Sequence, residues 1–214
     1  MQTAVYLDPP AVDVKLAELG LSVEILQEAI KFGQLHWSSC TSHDPLCLPG
    51  IMAWGKTIQR LRDLLVPQGW SAVNERNLPL IIDPAKKVAI AVATGDDGTG
   101  DASLAVRTKY PKGLATATFI EKNWEQLSLF DQGEKDKIIK KREPDCMTWV
   151  LLVSRNDNEV RCELSLPISL DYSGHVGTPV ERIILEPISI DGDSIELPVD
   201  DGIDDIDIQI SKRG

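Results

Sequence analysis

The sequence predicts an α+β fold: N-terminal helices packed on a mainly antiparallel sheet, the sheet built from a central meander and a C-terminal hairpin, with an acidic tail behind it. Three observations carry this. Up to Val66 the apolar residues recur at helical spacing; from Trp70 the period shortens to β-rich runs of four to six residues; and beyond Cys146 the runs "TWVLLVS" and "EVRCELSLPISL" flank the turn "RNDN". With 214 residues, 43% hydrophobic and 26% charged, the chain can bury one sizeable core. The expected division is one α+β domain over 1–190 and a tail or loosely held edge strand over 191–214.

The first helix is expected from Asp13 as cap through "DVKLAEL" to Gly20, a residue suited to the left-handed position after a helix end. Ser22 then caps a second helix, with Leu21 and Leu26 as a hydrophobic staple and Val23, Leu26, Ile30 and Trp37 as its apolar face. Asp44-Pro45 and Pro49-Gly50 mark a loop. A third helix follows, with Ile51, Trp54, Ile58, Leu61 and Leu65 inward, ending near Val66. "WSAV", "LPLII" and "VAIAVA" read as an antiparallel meander whose third strand, nearly continuous in apolar residues, is central. After the loop "TGDDGTGD", the stretch "GLATATFIEKNWEQLSLF" reads as a fourth helix with Leu114, Ala117, Ile120 or Glu121, and Trp124 about one turn apart. A charged connection over 131–145 leads to the hairpin "TWVLLVS"/"EVRCELSLPISL" and a last strand in "VERIILEP".

The net charge of −11 argues against broad contact with a phosphate backbone, which draws on neutralisation by Lys and Arg. From Glu186 onward nine acids face two bases, so seven of the eleven net negative charges sit there. The N-terminus has no basic segment followed by an apolar run, and no window reaches membrane-spanning length, so a cytoplasmic protein with reduced thiols at Cys40, Cys47, Cys146 and Cys162 is expected.

Several motifs suggest chemistry. "GIMAWGKT" satisfies the pattern of the nucleotide-hydrolase phosphate loop, which it resembles. The resemblance implies cofactor-binding roles for Gly50, Gly55, Lys56 and Thr57, with Asp83 after "LII" as a metal-holding acid. Against it, no strand precedes Gly50, and Ile51 to Trp54 continue the apolar stripe of the third helix. Asp96, Asp97 and Asp101 offer hard oxygen ligands for magnesium or calcium, without the full spacing of a calcium loop, and Arg107, Lys109 and Lys112 follow them. His36, Cys40, His43 and Cys47 have zinc-ligand chemistry, but on a helix His36 and Cys47 would lie roughly 16 Å apart, so incidental residues at a helix end are expected and no zinc.

"LAELGLSVEILQEAI" has the rhythm of a helix-turn-helix, yet its second helix presents Glu24 and Glu28 where DNA would need bases, so an ordinary helical hairpin is expected. "QLSLF", Gln126 to Phe130, resembles the short peptide by which bacterial replication and repair proteins dock on the sliding clamp; the resemblance would give Gln126, Leu127, Leu129 and Phe130 that role. "RLRDLLVPQGW" with "VAIAVATGDDGTG" is similar to a bacterial protein family with no known activity, a likeness that carries no functional residue across. No catalytic set stands out, and His175 is a lone loop histidine.

The leading expectation is therefore a non-enzymatic interaction or accessory protein with no cofactor, binding a basic protein partner through its acidic C-terminus and touching neither nucleic acid nor membrane. The alternative is a metal-dependent nucleotide or phosphate hydrolase using Lys56, Thr57 and the Asp-rich loop.

Overall fold

The computed structural model describes residues 3–85, 87–131 and 146–190, the side chains of 125–131 excepted. The acidic stretch 191–214 and most of the charged connection lie outside the described residues.

Helix α1 (Pro9–Glu18) is capped at Asp8 rather than Asp13 and so begins five residues earlier than its sequence suggests, because Pro9 and Pro10 occupy the first turn, where a missing N–H costs nothing. It ends at Gly20, whose φ of +71° makes the turn into the next helix. Ser22 does cap α2 (Val23–Ser38), its hydroxyl accepting from the Ile25 N–H at 3.4 Å. Helix α3 (Leu48–Leu65) also starts early, with Pro49 in its first turn.

Among the described residues eight strands form one mixed sheet. In chain order they are β1 (Ala4–Tyr6), β2 (Ser71–Glu75), β3 (Leu78–Ile82), β4 (Val88–Thr94), β5 (Met147–Arg155), β6 (Glu159–Leu170), β7 (Val176–Ile184) and β8 (Ile188–Ser189). Across the sheet the order is β1-β7-β6-β5-β4-β3-β2, with β8 beside the start of β6. The meander β2-β3-β4 and the hairpin β5-β6 are antiparallel. Arg76 and Asn77, both at positive φ, make the two-residue turn between β2 and β3. Two joins were not expected: β4 and β5 run parallel, with α4 (Leu114–Asp131) in their crossover, and β1 adds in parallel to β7.

The sheet buries both faces. Alternate residues Ile90, Val92, Leu151, Val153, Cys162 and Leu164 meet Leu16, Leu26, Ile30 and Leu61 of α1, α2 and α3 in the larger core. On the other face Ala93, Val150, Leu152 and Val176 pack with Val106 of the 95–113 segment and Ile120 of α4. That segment also closes a ring of main-chain pairings: Thr108 bridges Gly95 after β4, and Arg107 bridges Gly177 in β7. The strands β4 to β7 and this segment thus curl around the smaller core.

Two apolar faces differ from expectation. In α3, Ala53, Thr57, Ile58, Leu61 and Leu65 are buried, while Ile51 and Trp54 remain 53% and 39% exposed. β3 pairs with β4 only at Ile81 and Ile82, which leaves a gap beside the later part of β4. Trp54 leans over that gap and donates its indole N–H to the Val92 carbonyl at 3.0 Å. In α4 the buried positions among those described are Ile120 and Asn123, whereas Leu114 and Trp124 face solvent.

Candidate functional site

The segment after β4 carries the Asp-rich loop, and the sheet face beneath it explains the loop's shape. Glu163 of β6 and Arg182 of β7 both point to that face and are 0% and 4% exposed. A charged group so far from water needs a partner and saturated hydrogen bonding. Arg182 Nε donates to Glu163 Oε1 at 3.0 Å and Nη2 to Oε2 at 2.6 Å. The rest of the guanidinium is taken up by the loop: Nη2 donates to the carbonyls of Gly98 (3.1 Å) and Asp101 (3.0 Å), and Nη1 to that of Leu104 (2.8 Å). Glu163 in turn accepts from the Gly100 N–H at 2.9 Å and from the Ser165 hydroxyl.

Three main-chain carbonyls and a carboxylate converging on one point are the donor set a hard cation takes. Here the guanidinium of Arg182 stands in the middle of that set. The loop is accordingly organised from beneath, by a side chain of the sheet.

The aspartates themselves are spent locally. Asp96 Oδ1 accepts from the N–H groups of Gly98 and Arg107, both at 3.2 Å. Asp101 Oδ1 accepts from the Ser103 hydroxyl at 2.6 Å and its N–H at 2.8 Å, bonds that hold its carboxyl below the usual range. Asp97 is exposed. Gly98 is required by packing, since a Cβ there would stand 2.1 Å from the Ala105 carbonyl oxygen. Among the described residues no group of three or more His, Cys, Asp or Glu is placed to hold a metal ion.

The loop is also tied to the β6-β7 turn. Arg107 reaches Asp171 at 3.2 Å and Asp96 at 3.6 Å. Asp171 shapes that turn by accepting from the N–H groups of His175 (2.9 Å) and Ser173 (2.8 Å); the His175 bond is the main cause of its lowered pKa. His175 Nδ1 lies 2.7 Å from the Thr108 carbonyl oxygen, so this lone histidine is a brace between loop and turn.

Gly50, Gly55, Lys56 and Thr57 all lie inside α3. The main-chain N–H groups of Gly55, Lys56 and Thr57 belong to the helix ladder, the Thr57 hydroxyl donates to the Ala53 carbonyl at 2.8 Å, and Lys56 Nζ donates to Gln59 at 3.0 Å. A phosphate cradle needs those N–H groups turned toward one anion, an arrangement a continuous helix does not provide. Asp83 Oδ1 accepts from the Val88 N–H at 2.8 Å, closing the β3-β4 turn. His36 packs edge-on against Phe32, and the buried Cys40 thiol contacts the His36 carbonyl at 3.6 Å. Gln126 to Phe130 fall in α4, with their side chains outside the described residues.

Glu163 and Arg182 were missed by sequence reasoning, although a signal was present: each interrupts an otherwise apolar strand run, "VRCELSL" and "VERIIL". A charge inside such a run predicts a buried pair. Fold and site together define an α+β protein with three helices on one sheet face, and α4 with a pinned loop on the other. Comparison with protein-family models, with curated proteins and with solved structures finds no match.

Proposed function

We propose that the protein is a non-enzymatic, cytoplasmic interaction factor that engages a basic protein partner through residues 191–214. The observation that carries this reading is the charge distribution: eight acids against two bases in those 24 residues, six of the eleven net negative charges of the chain. Such a segment attracts a basic surface over a Debye length, about 8 Å at physiological salt, and the attraction weakens as salt rises. Ile206, Ile208 and Ile210 alternate with Asp207 and Gln209 at strand period, so a partner strand alternating Lys and apolar residues fits it.

The body supports the reading in two ways. The root of the segment is fixed, because β8 pairs with β6 and Ile188 and Ile190 pack against the larger core. Leu46, Ile51 and Trp54 leave apolar surface open near the start of α3, the kind of surface partners cover. The four cysteines are free thiols, in keeping with a reducing compartment. Among the described residues no helix is long and apolar enough to cross a membrane.

The test is binding of a synthetic peptide of alternating Lys and Val, read by fluorescence anisotropy across a salt series. Wild type is expected to bind with an affinity that falls steeply with salt. Replacing Asp200, Asp201, Asp204, Asp205 and Asp207 by Asn should weaken binding by tenfold or more. An affinity unchanged by those five substitutions would refute the proposal.

A further inference from the structure

Strand β5 ends on Arg155, which continues the row Leu151, Val153 toward the helices. Its Nε donates to Gln34 Oε1 of α2 at 3.1 Å, and its guanidinium lies 5.3 Å from the centre of the Trp37 ring. Among the described residues Gln34 is its one hydrogen-bond partner, and no carboxylate lies within ion-pair distance of it. Arg182 has Glu163, Arg60 has Glu28, Arg161 has Glu159 and Arg107 has two aspartates. Arg62 donates to Asn74 and to the carbonyls of Val73 and Leu80. Arg155 differs from all of these in leaving both terminal nitrogens, Nη1 and Nη2, without a partner among the described residues. Neither is sealed from water, so the edge they form opens to the surface.

The surroundings leave that charge whole. Burial pulls the Arg155 pKa down to about 10, which keeps it a cation at neutral pH, and the nearby Cys162 thiol is pushed up to about 12 by its own burial and is neutral. Two helix ends meet at Trp37. The ring belongs to the last turn of α2, and a Cβ on Gly50, in the first turn of α3, would stand 3.7 Å from it. The carbonyl end of α2 and the N–H end of α3 carry about half an elementary charge each, of opposite sign, and largely cancel. No acid stands in the first turn of α3 to tip that balance toward negative.

We infer that Arg155, Gln34 and Trp37 form a binding site for an external ligand that carries a carboxylate on an apolar body. Gln34 holds Nε and so fixes the plane of the guanidinium, whose Nη1–Nη2 edge presents parallel N–H groups to the two oxygens of a carboxylate. One cation answers one singly charged acid; a phosphate would bring about two negative charges to a site with a single positive one. The half-buried Trp37 ring gives the apolar body a surface to cover and keeps water from one side of the ion pair. These residues are distinct from 191–214, so the site stands or falls separately from the basic partner.

The test is an NMR titration of the full chain with benzoate, following the Arg155 Nε–H and Trp37 indole N–H signals, assigned with Arg155→Lys and Trp37→Phe. Benzoate is expected to shift both signals saturably. Benzamide, the same shape without the charge, should leave the Arg155 signal in place, and inorganic phosphate should bind more weakly than benzoate. Arg155→Met should abolish the Trp37 shift, and Arg155→Lys, which keeps the charge but loses the paired N–H groups, should weaken binding by about tenfold. A blocked Leu-Glu-Leu peptide, with Leu-Gln-Leu as its control, separates the sources of the acid. Tighter binding of the Glu peptide than of benzoate assigns the carboxylate to a side chain of a partner protein, and weaker binding assigns it to a free acid; both support the inference. No saturable shift with benzoate, an equal shift of the Arg155 signal with benzamide, tighter binding of phosphate than of benzoate, or a Trp37 shift that survives Arg155→Met would overturn it.

Discussion

Asn123 acts as a piece of strand supplied by a helix. Strands β5 and β6 pair from Val150 and Ser165 toward the β5-β6 turn, and on the other side of that point they diverge. Into the gap Asn123 sends a side-chain amide that donates to the carbonyls of Thr148 and Pro167 and accepts from the Thr148 N–H, each at 2.8 Å. Asn123→Leu would strand three buried main-chain groups, at about 1 to 3 kcal/mol each, so urea unfolding should show a loss of at least about 3 kcal/mol. A loss under about 1 kcal/mol would contradict this role. Nothing in the sequence marks Asn123, because its partners lie 25 and 44 residues away and a lone polar residue in a helix reads as solvated. Glu163 and Arg182 were hidden in the same way, each ordinary until the other is beside it.

The secondary structure was largely legible, since Ser22 as a cap, the meander and the β5-β6 hairpin are written in local chemistry and period. What local pattern does not hold is the neighbour. Three residues, "AVY", are too few to show a period of two, so β1 was invisible, and whether β4 meets β5 in parallel depends on a crossover rather than on either strand. Trp54 shows the same limit: its spacing predicts an inward position, yet beside β4, where its indole N–H reaches the Val92 carbonyl, it stays 39% exposed.

The α2-α3 pairing gives a sharp test of how α3 is built. A Cβ on Gly33 would lie 2.1 Å from Thr57 Oγ1 and 2.7 Å from the Ala53 carbonyl oxygen, whereas a Cβ on Gly55 meets nothing within 4 Å. Gly33→Ala should therefore cost about 1 to 3 kcal/mol by forcing the helices apart. Gly55→Ala should stabilise by about 0.5 to 1 kcal/mol, as Ala does in an open helix position. Thermal or urea unfolding checks both. A destabilising Gly55→Ala would mean that Gly50 to Thr57 is not plain helix, and would reopen the phosphate-loop reading.

At the scale of the whole molecule the sheet is a divider. Three helices cover one face mainly by apolar burial; the other face carries the buried Glu163 and Arg182 and is covered by α4 and by a loop that needs them. The loop's position after the central strand β4, its glycines and its aspartates were all readable in advance. Its organising cation was not, because that cation is Arg182, 81 residues beyond Asp101.

The claim that Arg182 fills the cation position is tested most directly by amide hydrogen exchange at Gly100 and its loop neighbours, compared between wild type and Arg182→Met with the β5 amides as internal reference. Breaking one partner of a buried pair costs about 3 to 5 kcal/mol, so protection will fall throughout the variant. The account predicts that in wild type the Gly100 N–H, donated to Glu163, is protected without any added divalent ion, and that Arg182→Met lowers loop protection at least tenfold more than protection of β5. Loop amides that lose no more than β5, or wild-type loop protection that appears only when calcium or magnesium is added, would contradict it.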